Sequence, residues 1–167
     1  MPACLAASLL TACTTSPSLS PTASATHLSD SASSCASAIK VGPLPAWART
    51  GFHPPDQPVH QLLGRAGHIL GVVFDDPLRA PAVDDHGNKI LWVTRLVGEG
   101  QATTVGGDTS PDLKIHATLN GFDLAVDREV AGGPGPSIID MPRAGCWTFA
   151  LSWSGHHDSL TVPYWSS

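Results

Sequence analysis

The chain has 167 residues, which is the size of one ordinary domain and too short for a large multidomain enzyme. Only 14% of the residues are charged, the 16 Gly and 15 Pro favour turns over helices, and the formal net charge is -5. Phosphate binding needs clustered Lys and Arg, whereas the 9 basic residues here are scattered singly, so the charge pattern indicates no nucleic-acid partner.

The chain opens with an uncharged apolar stretch that ends in small residues before Cys13. Its length suits the apolar region of a signal peptide and falls short of the ~20 residues of a membrane-spanning helix. The end of this stretch, Leu10-Thr11-Ala12-Cys13, resembles a bacterial lipobox. That resemblance implies that residues 1–12 are removed as a signal peptide and that Cys13 is diacylated. Signal peptides begin with a basic region, and no Lys or Arg precedes Lys40, so we expect the start codon to lie upstream.

The next segment is rich in small polar residues. Of the 25 residues from 14 to 38, nine are Ser and four are Thr, and only Asp30 is charged. Such a segment buries too little apolar surface to offset its ordering entropy. We therefore expect residues 13–39 to form a flexible tether with a reach of about 25–30 Å. The composition changes near Val41, which places the folded domain at residues 40–167.

A hairpin is the clearest local signal in this domain. Asn120-Gly121 is the preferred dipeptide of a two-residue type I′ turn, and apolar residues alternate with polar ones on both sides of it. A two-residue turn pairs Leu119 with Phe122 and places all apolar residues on one face. It also sets Lys114 opposite Asp127, a favourable cross-strand pair.

A second hairpin closes the chain, with alternating residues on either side of a turn predicted at residues 154–157. Further strands are predicted at 69–74, 89–97 and 137–140, the first of them central because it is almost continuously apolar. About seven short strands predict an all-β, antiparallel β-sandwich. An immunoglobulin-like topology is favoured by Trp147, whose indole can hydrogen-bond back to nearby backbone as the corner aromatic of such domains does.

Four stretches of the domain carry a family resemblance: residues 44–52, 88–93, 135–140 and 145–147. Together they resemble a group of uncharacterised actinobacterial lipoproteins over about residues 44–165. The resemblance implies a mycobacterial-type cell envelope as the setting. It brings no assigned activity, catalytic residue or ligand with it.

Four cysteines are present, and two have roles already. Cys4 leaves with the signal peptide and Cys13 takes the lipid. Cys35 and Cys146 then remain as an even pair in an oxidising compartment, which predicts a disulfide bond between them. The alternative is two free thiols, with Cys146 packed inside the sandwich.

Eight histidines invite a metal site, but their spacing argues against one. His156 and His157 are adjacent, so on a strand they point to opposite faces; at a hairpin tip they would converge, or His156 would act with Asp158. His60 is predicted in a loop. Residues 84–88 are similar to a calcium loop only superficially, because the glycine stands at the wrong position and Arg95 occupies the place of the bidentate Glu. An irregular carboxylate site is the alternative for this segment. Nucleophile, phosphate-loop and zinc-protease motifs are missing from the sequence, so we predict no catalytic residue, metal or cofactor.

These observations favour a lipid-anchored, extracytoplasmic β-sandwich on the cell membrane that binds or scaffolds an envelope protein or glycan without catalysis. One alternative is an envelope hydrolase or metal-dependent enzyme with a His/Asp site built from loops. Another is a secreted inhibitor or structural module, if the lipobox is accidental. Most of the five Trp are expected in the core, with Trp92 and Trp165 as the exceptions.

Overall fold

The computed structural model describes Cys35 and residues 38–95 and 112–167. These residues form ten strands and one short 3₁₀ turn, Ala46–Ala48. The strands are β1 Lys40–Gly42, β2 Val59–Leu63, β3 Ile69–Val73, β4 Arg79–Ala80, β5 Lys89–Thr94, β6 Leu113–Leu119, β7 Ala125–Val130, β8 Pro136–Ile138, β9 Gly145–Trp153 and β10 His156–Ser166.

The strands form two five-stranded sheets that pack face to face. Sheet I has the order β1-β2-β3-β5-β8, and sheet II has the order β4-β10-β9-β6-β7. All neighbours are antiparallel except β4 and β10, which are parallel. The predicted all-β sandwich is confirmed, and β3 is central and buried along its whole length, as expected. The expectation of about seven strands omitted β1, β2 and β4, which are short or follow proline-rich sequence.

The order of the strands is that of an immunoglobulin-like sandwich. If β3, β5 and β8 are strands A, B and E, then β6, β7, β9 and β10 are C, C′, F and G, and sheet II reads β4-G-F-C-C′. Among the described residues, no strand takes the place of D beside E. The strand pair β1 and β2 extends sheet I beyond strand A. Asn88, which is fully buried, ties β4 to β5 because its amide group bonds both the N–H and the C=O of Arg79, at 2.8 and 2.9 Å.

The core lies between the sheets and is built around large aromatic side chains. Trp92, Trp147, Phe149 and Tyr164 are each at most 1% exposed. The indole N–H of Trp147 donates to the Arg143 carbonyl at 3.0 Å, so the predicted corner is confirmed. Trp92 donates to a side chain of β8 and is fully enclosed, so its expected position outside the core was wrong.

The first hairpin differs from its prediction by a shift of two residues. Lys114 lies opposite Glu129 instead of Asp127, and the Leu119 N–H bonds the Leu124 carbonyl, leaving residues 120–123 as the turn. Asn120 explains the shift, because its backbone and its side chain are both bonded to β9. A shift of two residues keeps the side chains of the paired strands on their predicted faces. Phe122 is the exception, because it now lies in the turn and is exposed.

The second hairpin is tighter than predicted. Ser154 and Gly155 alone form its turn, with φ of 44° and 76°, and β10 begins at His156. Both turn residues are therefore in the left-handed region, as a type I′ turn requires. His156 and His157 consequently belong to a strand and face opposite sides of sheet II.

Candidate functional site

The structure joins Cys35 to Cys146 by a disulfide bond, with Cα atoms 5.8 Å apart. Along β9, Trp147, Phe149 and Leu151 face the core, so Cys146 faces the outer side of sheet II. Neither cysteine belongs to the core cluster, although both are buried. The bond therefore attaches Cys35 to the outer side of sheet II.

The predicted signal peptide at 1–12 and the lipidation site Cys13 lie outside the described residues, as does most of the predicted tether at 13–39. Within the described part of the chain, no helix is long and apolar enough to span a membrane. The last two residues of the predicted tether, Ala38 and Ile39, are described, and they pack against the core cluster.

A groove of about 590 Å³ runs over the outer face of sheet II. Its floor contains Ala150 and Ser152 of β9, whose side chains are short. Longer side chains stand on the flanking strands, with His116 opposite Ala150 on β6 and His157 opposite Ser152 on β10. The groove exists because short residues on the central strand lie between longer ones on its neighbours.

The charges along this groove occur in opposite pairs. His116 Nδ1 lies 2.8 Å from Asp127 Oδ1, and Lys114 lies across from Glu129 in the register of β6 and β7. The His116 and Asp127 side chains are 56% and 84% exposed, so their attraction is screened by solvent. The groove therefore offers both donors and acceptors without a large field of either sign.

A smaller cleft of about 310 Å³ lies beside the end of β10. Trp165 is half-buried there, which confirms its expected position outside the core. Asp76 also lines the cleft, and its Oδ2 lies 3.1 Å from Nδ1 of His60. His60 is on β2 and not in the predicted loop. The sequence shows the adjacent carboxylates Asp75 and Asp76 but not the pairing of Asp76 with His60, because 16 residues and strand β3 separate the two.

No group of three or more His, Cys, Asp and Glu side chains in the described residues is placed to hold a metal ion. His157 faces the groove, while His156 lies against the Trp153 ring with centroids 5.8 Å apart. The two histidines therefore do not converge. In the segment 84–88, Asp84 and Asp85 form a turn closed by the bridge between Val83 and His86.

The sequence offers Asp158 as a partner of His156, but the Asp158 carboxylate is hydrogen-bonded to the backbone instead. Its oxygens accept backbone N–H bonds from Ala66 and His68 at 2.9 Å and from Ser159 at 2.7 Å. Burial by itself raises the pKa of Asp158, and these backbone hydrogen bonds more than offset that effect, so the pKa is lowered. The residue is an ionised structural acceptor.

Comparison with protein-family models, curated proteins and solved structures finds no match to this chain. The resemblance to actinobacterial lipoproteins stays a prediction. What the chain does is therefore argued from the groove, the cleft and the position of the disulfide.

Proposed function

We propose that this protein is a lipid-anchored cell-envelope protein whose β-sandwich binds an envelope partner, without catalysis, through the groove on the outer face of sheet II. The observation that carries the proposal is the groove itself, which is a formed surface of paired donors and acceptors. The lipobox resemblance at Cys13 and the Ser-rich composition of residues 14–38 support the anchor.

The position of the disulfide is compatible with both parts of this proposal. Cys35 is bonded to Cys146, near the beginning of β9. The groove floor at Ala150 and Ser152 lies four to six residues further along the same strand, about 13–20 Å away. The disulfide, and with it the attachment of the proposed anchor, therefore lies apart from the groove floor.

The groove chemistry suits an extended polar partner, either a glycan or a protein segment. Neutral hydroxyl and amide groups can bond the Lys114, His116 and Glu129 side chains, whose charges are already balanced within the groove. A nucleic acid does not suit it, because Asp127 and Glu129 line the same surface.

The anchor is tested by metabolic labelling with an alkyne-tagged fatty acid, followed by membrane fractionation, in a host that processes lipoproteins. We expect the full chain to be labelled and to sediment with membranes. The Cys13→Ala chain should be unlabelled and released. If Cys13→Ala stays in the membrane fraction, the anchor part of the proposal is wrong.

The groove is tested with Ala150→Arg, because Ala150 is exposed on the groove floor and a long side chain there fills it. The matched control is Thr161→Arg, on the outer face of the neighbouring strand and outside the groove. We expect Ala150→Arg to abolish co-sedimentation with isolated envelope polysaccharide, or cross-linking to an envelope protein, while Thr161→Arg keeps it. Equal effects of both variants would place binding elsewhere.

A hydrolase is a second candidate because His116 and Asp127 form a close pair. The two residues lie on strands β6 and β7 and not on loops. Asp127 holds Nδ1 of His116, which leaves Nε2 of the same ring to act as a general base toward the groove. The test is hydrolysis of envelope glycan or ester substrates by the wild type and by His116→Gln. Turnover that disappears in His116→Gln would favour the hydrolase and contradict the non-catalytic proposal.

A further inference from the structure

We propose that the cleft beside Trp165 is a binding site for an organic ammonium group. The cleft shares no lining residue with the groove and is separate from the predicted lipid anchor. This second proposal can therefore fail or succeed independently of the proposed function. The cleft has a volume of about 310 Å³ and is lined by Ile39, Val41, Asp76, Pro77, Pro163 and Trp165.

Five of these six lining residues are apolar, and they come from three distant parts of the chain. Ile39 and Val41 belong to the segment just after the disulfide, Pro77 follows β3, and Pro163 and Trp165 belong to the end of β10. Val41 is 65% exposed, an unusual position for a large aliphatic side chain on an edge strand. The cleft therefore presents apolar surface to any small molecule that enters it.

Asp76 is the one charged residue of the lining, and its side chain is only 28% exposed. One carboxylate oxygen lies against His60. The nearby Arg79 guanidinium donates to the Ser166 carbonyl at 2.9 Å and does not line the cleft. The carboxylate thus supplies a negative charge that no Lys or Arg of the cleft lining neutralises.

The apolar lining and the Asp76 carboxylate together favour one class of ligand over others. A sugar would bring several hydroxyl groups against apolar walls that cannot bond them, which costs free energy for each. An acyl chain would cover the Asp76 carboxylate without compensating its charge. A cation with apolar substituents satisfies both features, since Asp76 attracts its charge and the Trp165 indole, the best aromatic partner for an ammonium, contacts its methyl groups.

Two sources supply this chemistry: the headgroup of a zwitterionic lipid and the amine of a free metabolite or peptide. The shared chemistry is tested first with tetramethylammonium chloride, titrated into the full chain while the indole N–H signals are followed by NMR. We expect a saturable shift of the Trp165 signal, with those of Trp92 and Trp147 unchanged because they are buried in the core.

Two comparisons make the result specific. tert-Butanol has the same shape without the charge and should produce no saturable shift. Asp76→Asn should weaken tetramethylammonium binding about tenfold or more, and Trp165→Leu likewise, while Trp165→Phe recovers part of the affinity. Asp75→Asn is the matched control, because Asp75 is the adjacent exposed carboxylate and does not line the cleft.

The proposal is overturned if the wild type shows no saturable shift, if tert-butanol binds as well, or if Asp75→Asn weakens binding as much as Asp76→Asn. Unfolding midpoints of all variants establish that each is folded. Competition by dodecylphosphocholine micelles or by lysine methyl ester then identifies the source. Failure of both to displace tetramethylammonium would overturn the assignment to a natural ligand of this class.

Discussion

The carboxylate of Asp158 accepts a hydrogen bond from the backbone N–H of His68, which lies 90 residues earlier in the chain, at 2.9 Å. Ala66 and Ile69 donate to the same carboxylate. Because β10 belongs to sheet II and the turn between β2 and β3 belongs to sheet I, this one side chain joins the two sheets.

Asp158→Ala should lower the free energy of unfolding by about 2 to 3 kcal/mol, because hydrogen bonds to a charged acceptor are lost and several backbone N–H groups lose their partner. Urea unfolding at neutral pH measures this loss. Asp123→Ala, in the exposed turn at 120–123, is the control and should change stability by less than about 0.5 kcal/mol. Equal effects of the two variants would contradict the role assigned to Asp158.

Gly64 should be coupled to Asp158 in a double-mutant cycle. A methyl group at Gly64 would come within 3.0 Å of the Asp158 carboxylate carbon and both its oxygens. Gly64→Ala should therefore destabilise the wild type markedly and destabilise the Asp158→Ala protein much less, with a coupling of about 1 kcal/mol or more. If the two substitutions change the free energy of unfolding additively, the contact between the new methyl group and the Asp158 carboxylate is relieved by other movements, and the predicted coupling is wrong.

The stability should also depend on pH through Asp158. Because the pKa of this carboxyl is lowered in the folded state from its ordinary 3.8, its contribution is fully present above that value and is lost as pH falls through the folded pKa. The stability difference between the wild type and Asp158→Asn should therefore shrink below about pH 4. Urea unfolding of both proteins from pH 7 to pH 2 tests this; a difference that stays constant would mean that the carboxyl does not titrate differently on folding.

Tyr164 should not ionise while the protein is folded. It is the sole tyrosine of the chain, and its hydroxyl donates to the Ile139 carbonyl at 2.5 Å. Burial, reinforced by the charge of Asp140, raises the pKa of Tyr164 far above its ordinary 10.0, with Arg128 opposing. Only the unfolded chain releases this proton near pH 10, so stability falls as pH rises past that value. Phenolate absorbance and circular dichroism should change together; absorbance that rises first would contradict this burial.

Reduction of the disulfide should leave the core intact, because the bond lies on the outer face of sheet II. The near-ultraviolet circular dichroism from Trp147 and Tyr164 should persist, while the free energy of unfolding falls by about 2 to 4 kcal/mol as the unfolded chain gains freedom. Cys35→Ser should behave like the reduced wild type, and adding reductant to it should change nothing further. Loss of the aromatic signal on reduction would show that the bond supports the core.

Much of the fold follows from local patterns in the sequence. Alternation along β6 and β9 determines which side chains face the core, because successive residues of a strand point to opposite faces. The corner formed by Trp147 was predicted by analogy with the corner aromatic of immunoglobulin-like domains. Cys35 and Cys146 were paired by counting, since two other cysteines had separate roles.

The register of the first hairpin was decided by tertiary structure. A shift of two residues leaves the apolar face unchanged, so alternation cannot distinguish the two pairings. The bonds from Asn120 to β9 select between them, and β9 lies more than 20 residues further along the chain.

The candidate sites also depend partly on local sequence and partly on tertiary structure. The sequence by itself determined the strand faces, because they rest on residue type and local spacing, and it predicted the cysteine pair and the exposure of Trp165. Only the tertiary structure decided that Ile39, Asp76 and Trp165 line one cleft and that Asp158 holds the turn between β2 and β3. Those contacts join residues far apart in the chain, and the packing of two sheets, which no local pattern encodes, brings them together.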